Sequence, residues 1–297
     1  MDFYKKIIRN KKLRFKILSC LRIIPDKQML QLQYFIKHGR RLNLRNPKRY
    51  TEKIQWYKLY YRNDLMPICV DKNRVREYIA QKGLSDILVY KYGVYDSVED
   101  IDFALLPDKF IMKTTNGSGT NYICKDKKSI DIEELKGMFK TYSVQYGAGR
   151  EWAYTGAEKR IVVEELLEDD TQSDGAICDY KFLCFNGNPE YIVYDVDRFT
   201  EHKRNIYDTN WNNLNIASDC PCCEREIAPP ENLDKMLEIA KTLCADFPAV
   251  RVDLYNIKGK IYFGELTFFP WSGYVQYEPD EFDFIMGEKF VLPNKNN

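Results

Sequence analysis

The sequence predicts an α+β protein in which strands follow one another as hairpins and helices lie between them. Three stretches carry this prediction, because each places β-forming residues on both sides of a glycine-containing turn. They are FIMKTTNGSGTNYICKD from Phe110, DYKFLCFNGNPEYIVYDV from Asp179 and RVDLYNIKGKIYFGELT from Arg251. Hairpins give antiparallel strand pairs, so we expect α+β lobes and not a parallel doubly wound sheet.

Helices and short strands fill the chain between these hairpins. Asp71 and Gly83 have the residue types of an N-cap and a C-terminal stop around DKNRVREYIAQKG, which predicts a helix there. Apolar runs predict strands in ILVYKYGVY and IVVEELL. Further helices are predicted at residues 51–62, 132–142 and 229–245.

Composition indicates a globular protein with an uneven charge distribution. The 297 residues are 44% hydrophobic and 14% aromatic, enough for one large or two ordinary domains. Residues 1–62 contain 18 basic and 3 acidic side chains, whereas the remainder contains 27 basic and 41 acidic ones. A basic segment attached to an acidic body indicates an anionic partner.

The basic segment begins with a predicted amphipathic helix at residues 3–24, which Pro25-Asp26 would end. Such a helix can lie on an anionic membrane, or it can dock on the body with its cations solvated. No nucleic-acid reader motif accompanies the cations, so we expect no nucleic-acid partner. No apolar run reaches the length of a membrane span, and nothing resembles a signal-peptide cleavage site.

The nine cysteines are scattered and odd in number, as expected of buried thiols in a reducing cytosol. Cys220-Pro-Cys222-Cys223 has the C-x-x-C spacing, but no second pair and no histidine lies near it in sequence. We therefore do not expect a zinc site there. With only His38 and His202, a histidine-rich metal centre is excluded.

The last hairpin suggests a metal site. If its turn centres on Gly259, Asp253 lies opposite Glu265 and Arg251 lies opposite Thr267, all on one face. Two facing carboxylates repel each other, and a bound Mg²⁺ would reverse that effect, because this hard cation takes carboxylate oxygens. Unrelated solvent-facing charges remain the alternative.

A second candidate site follows the strand that contains Lys113. The turn Asn116-Gly117-Ser118-Gly119-Thr120 can present backbone N–H groups to phosphate oxygens, and Lys113 adds charge. The turn is neither a Walker A loop nor a dinucleotide-binding G-x-G-x-x-G motif. A plain hairpin turn beside a surface lysine would look the same.

Six motifs in order make the chain resemble the TupA-like ATP-grasp family of polysaccharide and teichuronopeptide biosynthesis. They are NPKRYTEKIQWYKLY, the DK before the helix, FIMKTTNGSG, VEELL, DYKFLCFNG and GELTFFPWSG. The resemblance covers roughly residues 70–275 and implies two α+β lobes, with mainly antiparallel sheets, that clasp ATP. We expect four parts: a basic helical segment at 1–62, a segment at 63–105 that precedes the ATP-grasp lobes, a nucleotide-binding lobe at 106–168 and a metal-binding lobe at 169–297.

The resemblance also implies roles for single residues. Positions matching the family's nucleotide-binding pattern are Lys72, Lys113, Gly117, Ser118, Gly119, Thr120, Glu164, Glu165, Leu167 and Lys181. The lysines at positions 72, 113 and 181 would contact phosphates. The glycine turn would form a flap over them, and residues 164–167 would form the hinge that binds adenine. Asp253 and Glu265 would hold Mg²⁺. Thr267 stands where Asn is usual, so we expect that metal position either to be weaker or to use water.

The activity implied is an ATP- and Mg²⁺-dependent carboxylate–amine ligase that acts through an acylphosphate. Arg251 and Lys181 would be catalytic, and the predicted acceptor contacts are Arg198, Lys203, Arg204, Arg251 and Ser272. The partners implied are an anionic glycan or lipid-linked sugar, and an amino acid or amine, with a cytoplasmic location at or near the inner membrane face. The alternatives are a glycan kinase and a glycan-binding protein with a degenerate ATP site. A glycosyltransferase has only Asp195-Val196-Asp197 as a D-x-D match.

Overall fold

The structure is a computed structural model that describes residues 21–117, 120–141, 149–155, 159–169, 177–196 and 201–295. The chain divides into two compact units. Unit 1 comprises residues 1–63, 147–152 and 178–297, and unit 2 comprises residues 64–146 and 153–177.

The described residues form short helices and antiparallel strands. The α-helices are α1 Asp26–His38, α2 Tyr50–Tyr60, α3 Leu65–Cys69, α4 Val75–Gln81, α5 Ile132–Thr141, α6 Leu233–Cys244 and α7 Glu281–Lys289. The strands are β1 Lys91–Tyr95, β2 Phe110–Thr114, β3 Asn121–Cys124, β4 Ile161–Glu165, β5 Asp179–Phe185, β6 Asn188–Val196, β7 Lys203–Tyr207, β8 Ala249–Ile257 and β9 Lys260–Thr267.

Unit 2 contains a four-stranded sheet in the order β1-β4-β2-β3, with antiparallel neighbours throughout. One face carries Phe110, Met112 and Val163, which are buried in a core that includes Leu135 and Phe139 of α5. Because side chains alternate along a strand, the other face receives Lys113 and Glu164. The sheet therefore separates an apolar core from a charged face.

Unit 1 contains a five-stranded antiparallel sheet in the order β7-β6-β5-β8-β9. Helix α6 packs against β5, β6 and β8, and its buried face includes Met236, Ile239 and Leu243. Lys181, Arg251 and Asp253 occupy alternate positions on β5 and β8, which places them on the opposite face of this sheet. Here too, one face is apolar and the other is charged.

Helices α2 and α7 satisfy each other's free backbone groups. Asp283 accepts hydrogen bonds from the Thr51 backbone N–H (2.9 Å) and the Thr51 hydroxyl (2.7 Å) at the start of α2. Lys53 donates to the Gly287 carbonyl (2.6 Å) and the Phe290 carbonyl (2.7 Å) at the end of α7. These contacts satisfy groups that a helix end leaves without a partner.

The three predicted hairpins and the helices at α2, α4 and α5 are confirmed, as is the α+β class with antiparallel sheets. Four elements were missed, namely α1, α3, α7 and β7. Helix α6 begins at Leu233 and not at Pro229, because Asn232 adopts a left-handed conformation (φ 61°) that interrupts a helix. Most of the predicted helix at residues 3–24 lies outside the described residues.

Candidate functional site

The β8–β9 hairpin places the two predicted metal-binding acids opposite each other. Its turn is the two-residue Lys258-Gly259, with φ values of 51° and 80°. This turn pairs Ile257 with Lys260, a register that would set Asp253 against Gly264. A β-bulge between Asp253 and Leu254 shifts the pairing by one residue. The predicted turn centre was therefore wrong, but the predicted pairs are confirmed: Asp253 with Glu265, and Arg251 with Thr267.

Arg251 compensates the repulsion between these acids. Its Nε and Nη2 donate to the two carboxylate oxygens of Asp253, each at 2.6 Å, and Nη2 also donates to Glu265 Oε1 at 2.9 Å. The Thr267 hydroxyl donates to the same Glu265 oxygen at 3.1 Å. In the structure a guanidinium, and not Mg²⁺, holds the pair together.

The same acids also suit a divalent cation. Asp253 is buried, whereas the Glu265 side chain is 39% exposed. Burial raises the pKa of Asp253 to about 6 and Glu265 adds to the rise, while Arg251 opposes both. A carboxylate that is costly to bury gains from an added cation. Two carboxylates and the Thr267 hydroxyl present only hard oxygen donors, so the residues fit Mg²⁺.

Alternating charges continue across the sheet from this pair. Lys181 on β5 is the register partner of Asp253, and its Nζ lies 2.9 Å from Asp179 Oδ2 and 2.9 Å from Asp195 Oδ2. Asp195 also accepts from Arg204 Nε at 2.7 Å. Burial raises the pKa of Asp195, but Lys181 and Arg204 outweigh it and hold that pKa well below its usual value. Asp195 therefore stays ionised between two cations.

The loop Pro270–Gly273 contacts two arginines of this charged face through Trp271. The guanidiniums of Arg204 and Arg251 lie 4.9 and 5.1 Å from the ring centroid of Trp271. Trp271 and Ser272 both have left-handed backbones, with φ values of 47° and 56°. Non-glycine residues adopt this conformation at a cost of about 1–3 kcal/mol each, so neighbouring contacts must hold the loop.

Those contacts come from α2 and from Glu151. Lys58 Nζ donates to the Ser272 carbonyl at 3.0 Å, and Gln55 Nε2 donates to the same carbonyl at 2.8 Å. The Ser272 hydroxyl donates to Glu151, which also pairs with Lys58 at 3.6 Å. The predicted acceptor residue Ser272 is thus bound to protein groups through both its backbone and its side chain.

Unit 2 gathers cations around one buried carboxylate. Glu164 lies 3.0 Å from Lys113 Nζ and 3.2 Å from Arg76 Nη1. Lys91 is the register partner of Glu164 in β1 and donates to Asn73 Oδ1 at 2.8 Å. Burial lowers the pKa of Lys91, and Arg76 lowers it further. Three cations and one carboxylate leave excess positive charge, as a triphosphate site requires.

The structure also brings Lys72 to the predicted flap. The Lys72 backbone N–H donates to the Thr115 carbonyl at 2.8 Å, and its ammonium donates to the Gly117 carbonyl. Gly117 has a φ of 89°, which favours glycine. Thr120 is buried beside this turn, while Ser118 and Gly119 lie outside the described residues.

The predicted adenine hinge follows β4. The Glu165 N–H donates to the Tyr90 carbonyl at 2.9 Å, so this donor already has a partner within unit 2. Strand β4 ends at Glu165, and Leu167 lies beyond it. Glu164, predicted as part of the hinge, uses its side chain to pair with Lys113 and Arg76.

The remaining predicted acceptor residues differ in how far they are exposed. Arg204 is buried between Asp195 and Asp219, whereas the Lys203 side chain is 37% exposed, 4.0 Å from Glu201. Arg198 lies outside the described residues.

Within the described part of the chain, no group of three or more His, Cys, Asp or Glu side chains could hold a metal ion. Mg²⁺ binding would therefore depend on two acids together with neutral and phosphate oxygens.

With this geometry established, a family comparison identifies the chain. The model of the TupA-like ATP-grasp family matches residues 52–291, which is most of the sequence. The chain belongs to the TupA-like ATP-grasp family. The match includes both clusters described above, from Lys72 to Thr267.

Comparison with solved structures finds distant ATP-grasp enzymes. A D-alanine–D-alanine ligase from Bacillus anthracis is 20% identical, with 67% of this chain and 57% of that chain covered and a TM-score of 0.39. One from Helicobacter pylori is 16% identical, with 82% and 68% covered and a TM-score of 0.42. The ATP-grasp ligase PsnB, complexed with its minimal precursor, is 13% identical, with 70% and 54% covered and a TM-score of 0.40.

The chain spans a little over half the length of the first of these structures. None of the curated proteins matches the sequence. Among the described helices, none is long and apolar enough to cross a membrane.

Sequence reasoning missed Arg76, Lys91, Asp195 and Trp271 as members of these clusters. Arg76 lies inside a predicted helix and Lys91 inside a predicted strand, so neither had a local signal. The pairing of Lys91 with Glu164 depends on strand order, which the sequence does not show. Trp271 could have been found, because it belongs to the GELTFFPWSG motif.

Proposed function

We propose that this protein is an ATP- and Mg²⁺-dependent carboxylate–amine ligase that acts through an acylphosphate. The observation that carries the proposal is the in-register pair Asp253–Glu265, bridged by Arg251 on the charged face of the unit 1 sheet. Family membership supplies the ATP-grasp context for this pair.

The unit 2 cluster would bind the nucleotide phosphates. Lys113 and Arg76 share Glu164, so phosphate oxygens would replace or supplement this single carboxylate as their partner. Lys72 contacts the glycine turn directly, which couples the turn's position to that cation. Preplaced cations stabilise the charge that develops in phosphoryl transfer without reorganising during the step.

The unit 1 acids would hold the metal. Asp253 and Glu265 supply carboxylate oxygens and Thr267 a hydroxyl, and bound Mg²⁺ neutralises charge on the phosphates. Arg251 already occupies both acids, so it holds them in position and balances their charge. Lys181 lies next to Asp253 and would provide a further cation for a phosphate.

An acceptor carboxylate would use the arginines beside Trp271. Arg204 and Arg251 lie on the same indole ring, and their N–H groups that do not pair with Asp195, Asp219, Asp253 or Glu265 would bind the acceptor oxygens. Phosphorylation of the bound carboxylate gives an acylphosphate, which an amine converts to an amide with release of phosphate. We propose a uronic-acid-type sugar of a surface glycan or lipid-linked precursor as the acceptor, and an amino acid or amine as the nucleophile.

Hydroxylamine trapping tests the ligase activity. Purified protein with ATP and MgCl₂ should convert uronates or amino-acid carboxylates to hydroxamates, which are detected as iron complexes. Glu265→Gln should lose this activity, whereas Lys109→Met, in an exposed pair with Glu168, should retain it. Hydroxamate formation that does not need ATP, or none with any of these carboxylates, would refute the ligase proposal.

Isotope transfer distinguishes the ligase from a glycan kinase. With an ¹⁸O-labelled carboxylate acceptor, the ligase transfers one labelled oxygen to inorganic phosphate. A kinase that phosphorylates a sugar hydroxyl transfers none. Mass spectrometry of the released phosphate measures the difference.

A further inference from the structure

Helix α1 has an apolar outer face in addition to its buried inner face. Met29, Leu30 and Tyr34 point inward, and Leu30 and Tyr34 belong to a core cluster with Trp56 of α2. The Tyr34 hydroxyl lies 2.9 Å from the Thr51 hydroxyl, which holds the helix in this orientation. The opposite face therefore points to solvent. It carries five exposed and uncharged side chains, namely Gln28, Gln31, Leu32, Phe35 and Ile36.

Three of these side chains form an apolar stripe, defined here as Leu32, Phe35 and Ile36. Their exposed fractions are 46%, 54% and 57%. Their spacing of i, i+3 and i+4 makes them neighbours on the helix surface. A helix on the surface of a globular protein normally turns polar side chains to solvent. A contiguous exposed apolar stripe instead marks a surface that docks on an apolar partner.

The chain around the stripe exposes positive charge. Residues 21–62 contain only two acids, Asp26 and Glu52. Asp26 pairs with Arg150 at 3.1 Å, and Glu52 is buried and accepts three backbone N–H groups. The negative charge of this segment is therefore already compensated. The exposed cations on and after α1 include Lys27, Arg41, Arg45 and Lys48.

Arg150 fixes the point at which further cations join α1. Its Nη2 donates to the Leu21 carbonyl at 2.8 Å and to the Ile24 carbonyl at 2.9 Å. Residues 1–20, which precede this anchor, contain seven basic side chains and one acidic side chain. The cations before α1 and the apolar stripe on α1 are thus continuous in sequence, and Arg150 holds their junction on unit 1.

Charge and apolarity together select the kind of partner. A second copy of the chain would bring two basic segments together, and like charges oppose that contact. A nucleic acid would pair with the cations but would leave the apolar stripe in water. An anionic bilayer offers phosphates to the cations and acyl chains to the apolar side chains.

We propose that α1 docks on the surface of an anionic lipid bilayer. Leu32, Phe35 and Ile36 enter the boundary between head groups and acyl chains, and the flanking lysines and arginines contact the head-group phosphates.

Vesicle sedimentation tests the proposal with the full-length protein. The protein should sediment with vesicles of phosphatidylcholine that contain about 30% phosphatidylglycerol, and it should stay in solution with phosphatidylcholine alone. Raising NaCl from about 0.1 M to about 1 M should weaken binding by about tenfold or more, because salt screens exposed charges. Absence of binding to the anionic vesicles, or equal binding to both kinds of vesicle, would overturn the proposal.

Two chemically identical substitutions separate the stripe from other exposed apolar side chains. Leu32→Gln should weaken binding to the anionic vesicles by about tenfold, because it removes one buried apolar side chain. The matched control Leu105→Gln, at a side chain that is 83% exposed in unit 2, should bind as the wild type does. The triple variant Leu32→Gln/Phe35→Gln/Ile36→Gln should lose binding. Wild-type binding by the triple variant would show that the stripe is not the docking surface.

The lipid-free protein tests the other occupants of the stripe. If residues 1–20 covered it, the triple variant would melt at a lower temperature than the wild type. If a second copy covered it, the triple variant would abolish a dimer in analytical ultracentrifugation. The proposal predicts an unchanged melting temperature and an unchanged oligomeric state, and either change would overturn it. ATP takes no part in these measurements, so their outcome is independent of the ligase proposal.

Discussion

At the scale of single residues, the site depends on how buried charges are paired. Arg251 contacts both Asp253 and Glu265, and Asp195 contacts both Lys181 and Arg204. Removing one partner of a buried pair leaves an uncompensated charge, which costs more than the intact pair contributes. Substitutions at these positions should therefore have much larger effects on stability than substitutions in exposed pairs.

Arg251→Met should lower the free energy of unfolding by about 3–5 kcal/mol, because Asp253 would stay buried without its partner. Millimolar MgCl₂ should raise the melting temperature of this variant more than that of the wild type, since the guanidinium no longer occupies the acids. Differential scanning calorimetry measures both effects. Lys109→Met, in an exposed pair, should cost no more than about 1 kcal/mol. If Mg²⁺ stabilises neither Arg251→Met nor the wild type, metal binding by these acids is contradicted.

Lys58 gives a prediction on pH dependence. Burial lowers the pKa of Lys58 to about 8, and Glu151 opposes the decrease. An unfolded lysine has a pKa of about 10.4, so between these values the folded state binds fewer protons. The free energy of unfolding should therefore gain up to about 1.4 kcal/mol per pH unit from Lys58 as pH rises through this window.

Urea unfolding at about pH 8 and about pH 9.5 measures this contribution when wild type is compared with Lys58→Met. Tyrosine titration also contributes to the pH dependence of stability. The comparison removes this contribution, because it is common to both proteins. The wild type should gain more stability than the variant over this interval. An identical pH dependence would show that Lys58 is not buried as the structure describes.

At the scale of elements, the α2–α7 contact depends on a glycine. A Cβ atom added at Gly287 would lie 2.0 Å from the Lys48 carbonyl oxygen and 2.9 Å from the Tyr50 nitrogen, both backbone atoms. Gly287→Ala should therefore separate the helices and destabilise the protein by about 1–3 kcal/mol or more. Thermal unfolding measures the change.

Gly137 in α5 is the matched control, because an added Cβ there meets no atom within 4 Å. Gly137→Ala should stabilise the protein by about 0.5–1 kcal/mol, since alanine favours a helix. The two substitutions are chemically identical and should act with opposite sign. A Gly287→Ala protein as stable as the wild type would contradict the close approach of α2 and α7.

The elements also show what the sequence could and could not predict. Turn residues such as Asn186-Gly187 and Lys258-Gly259 act locally, so the hairpins were predictable. The Asp253–Glu265 pair was predicted from a turn centre one position off, and the bulge restored that pair. Strand order and the bulge beside Asp253 depend on residues that are distant in sequence. The Lys91–Glu164 pair and the cause of the final register were therefore not predictable.

At the scale of the whole molecule, each unit carries one charged sheet face. Unit 2 carries the cations around Glu164, and unit 1 carries the acids bridged by Arg251. The match to the TupA-like ATP-grasp family includes both faces. We propose that binding of Mg-ATP depends on Lys113 in unit 2 and on Glu265 in unit 1.

Isothermal titration calorimetry of ATP, with and without MgCl₂, tests this claim most directly. Wild type and Lys109→Met should bind ATP more tightly when Mg²⁺ is present. Lys113→Met in unit 2 and Glu265→Gln in unit 1 should each weaken binding in MgCl₂ by about tenfold or more, which is about 1.4 kcal/mol. If the two variants instead bind Mg-ATP as tightly as the wild type, neither face is part of the nucleotide site and the account is wrong.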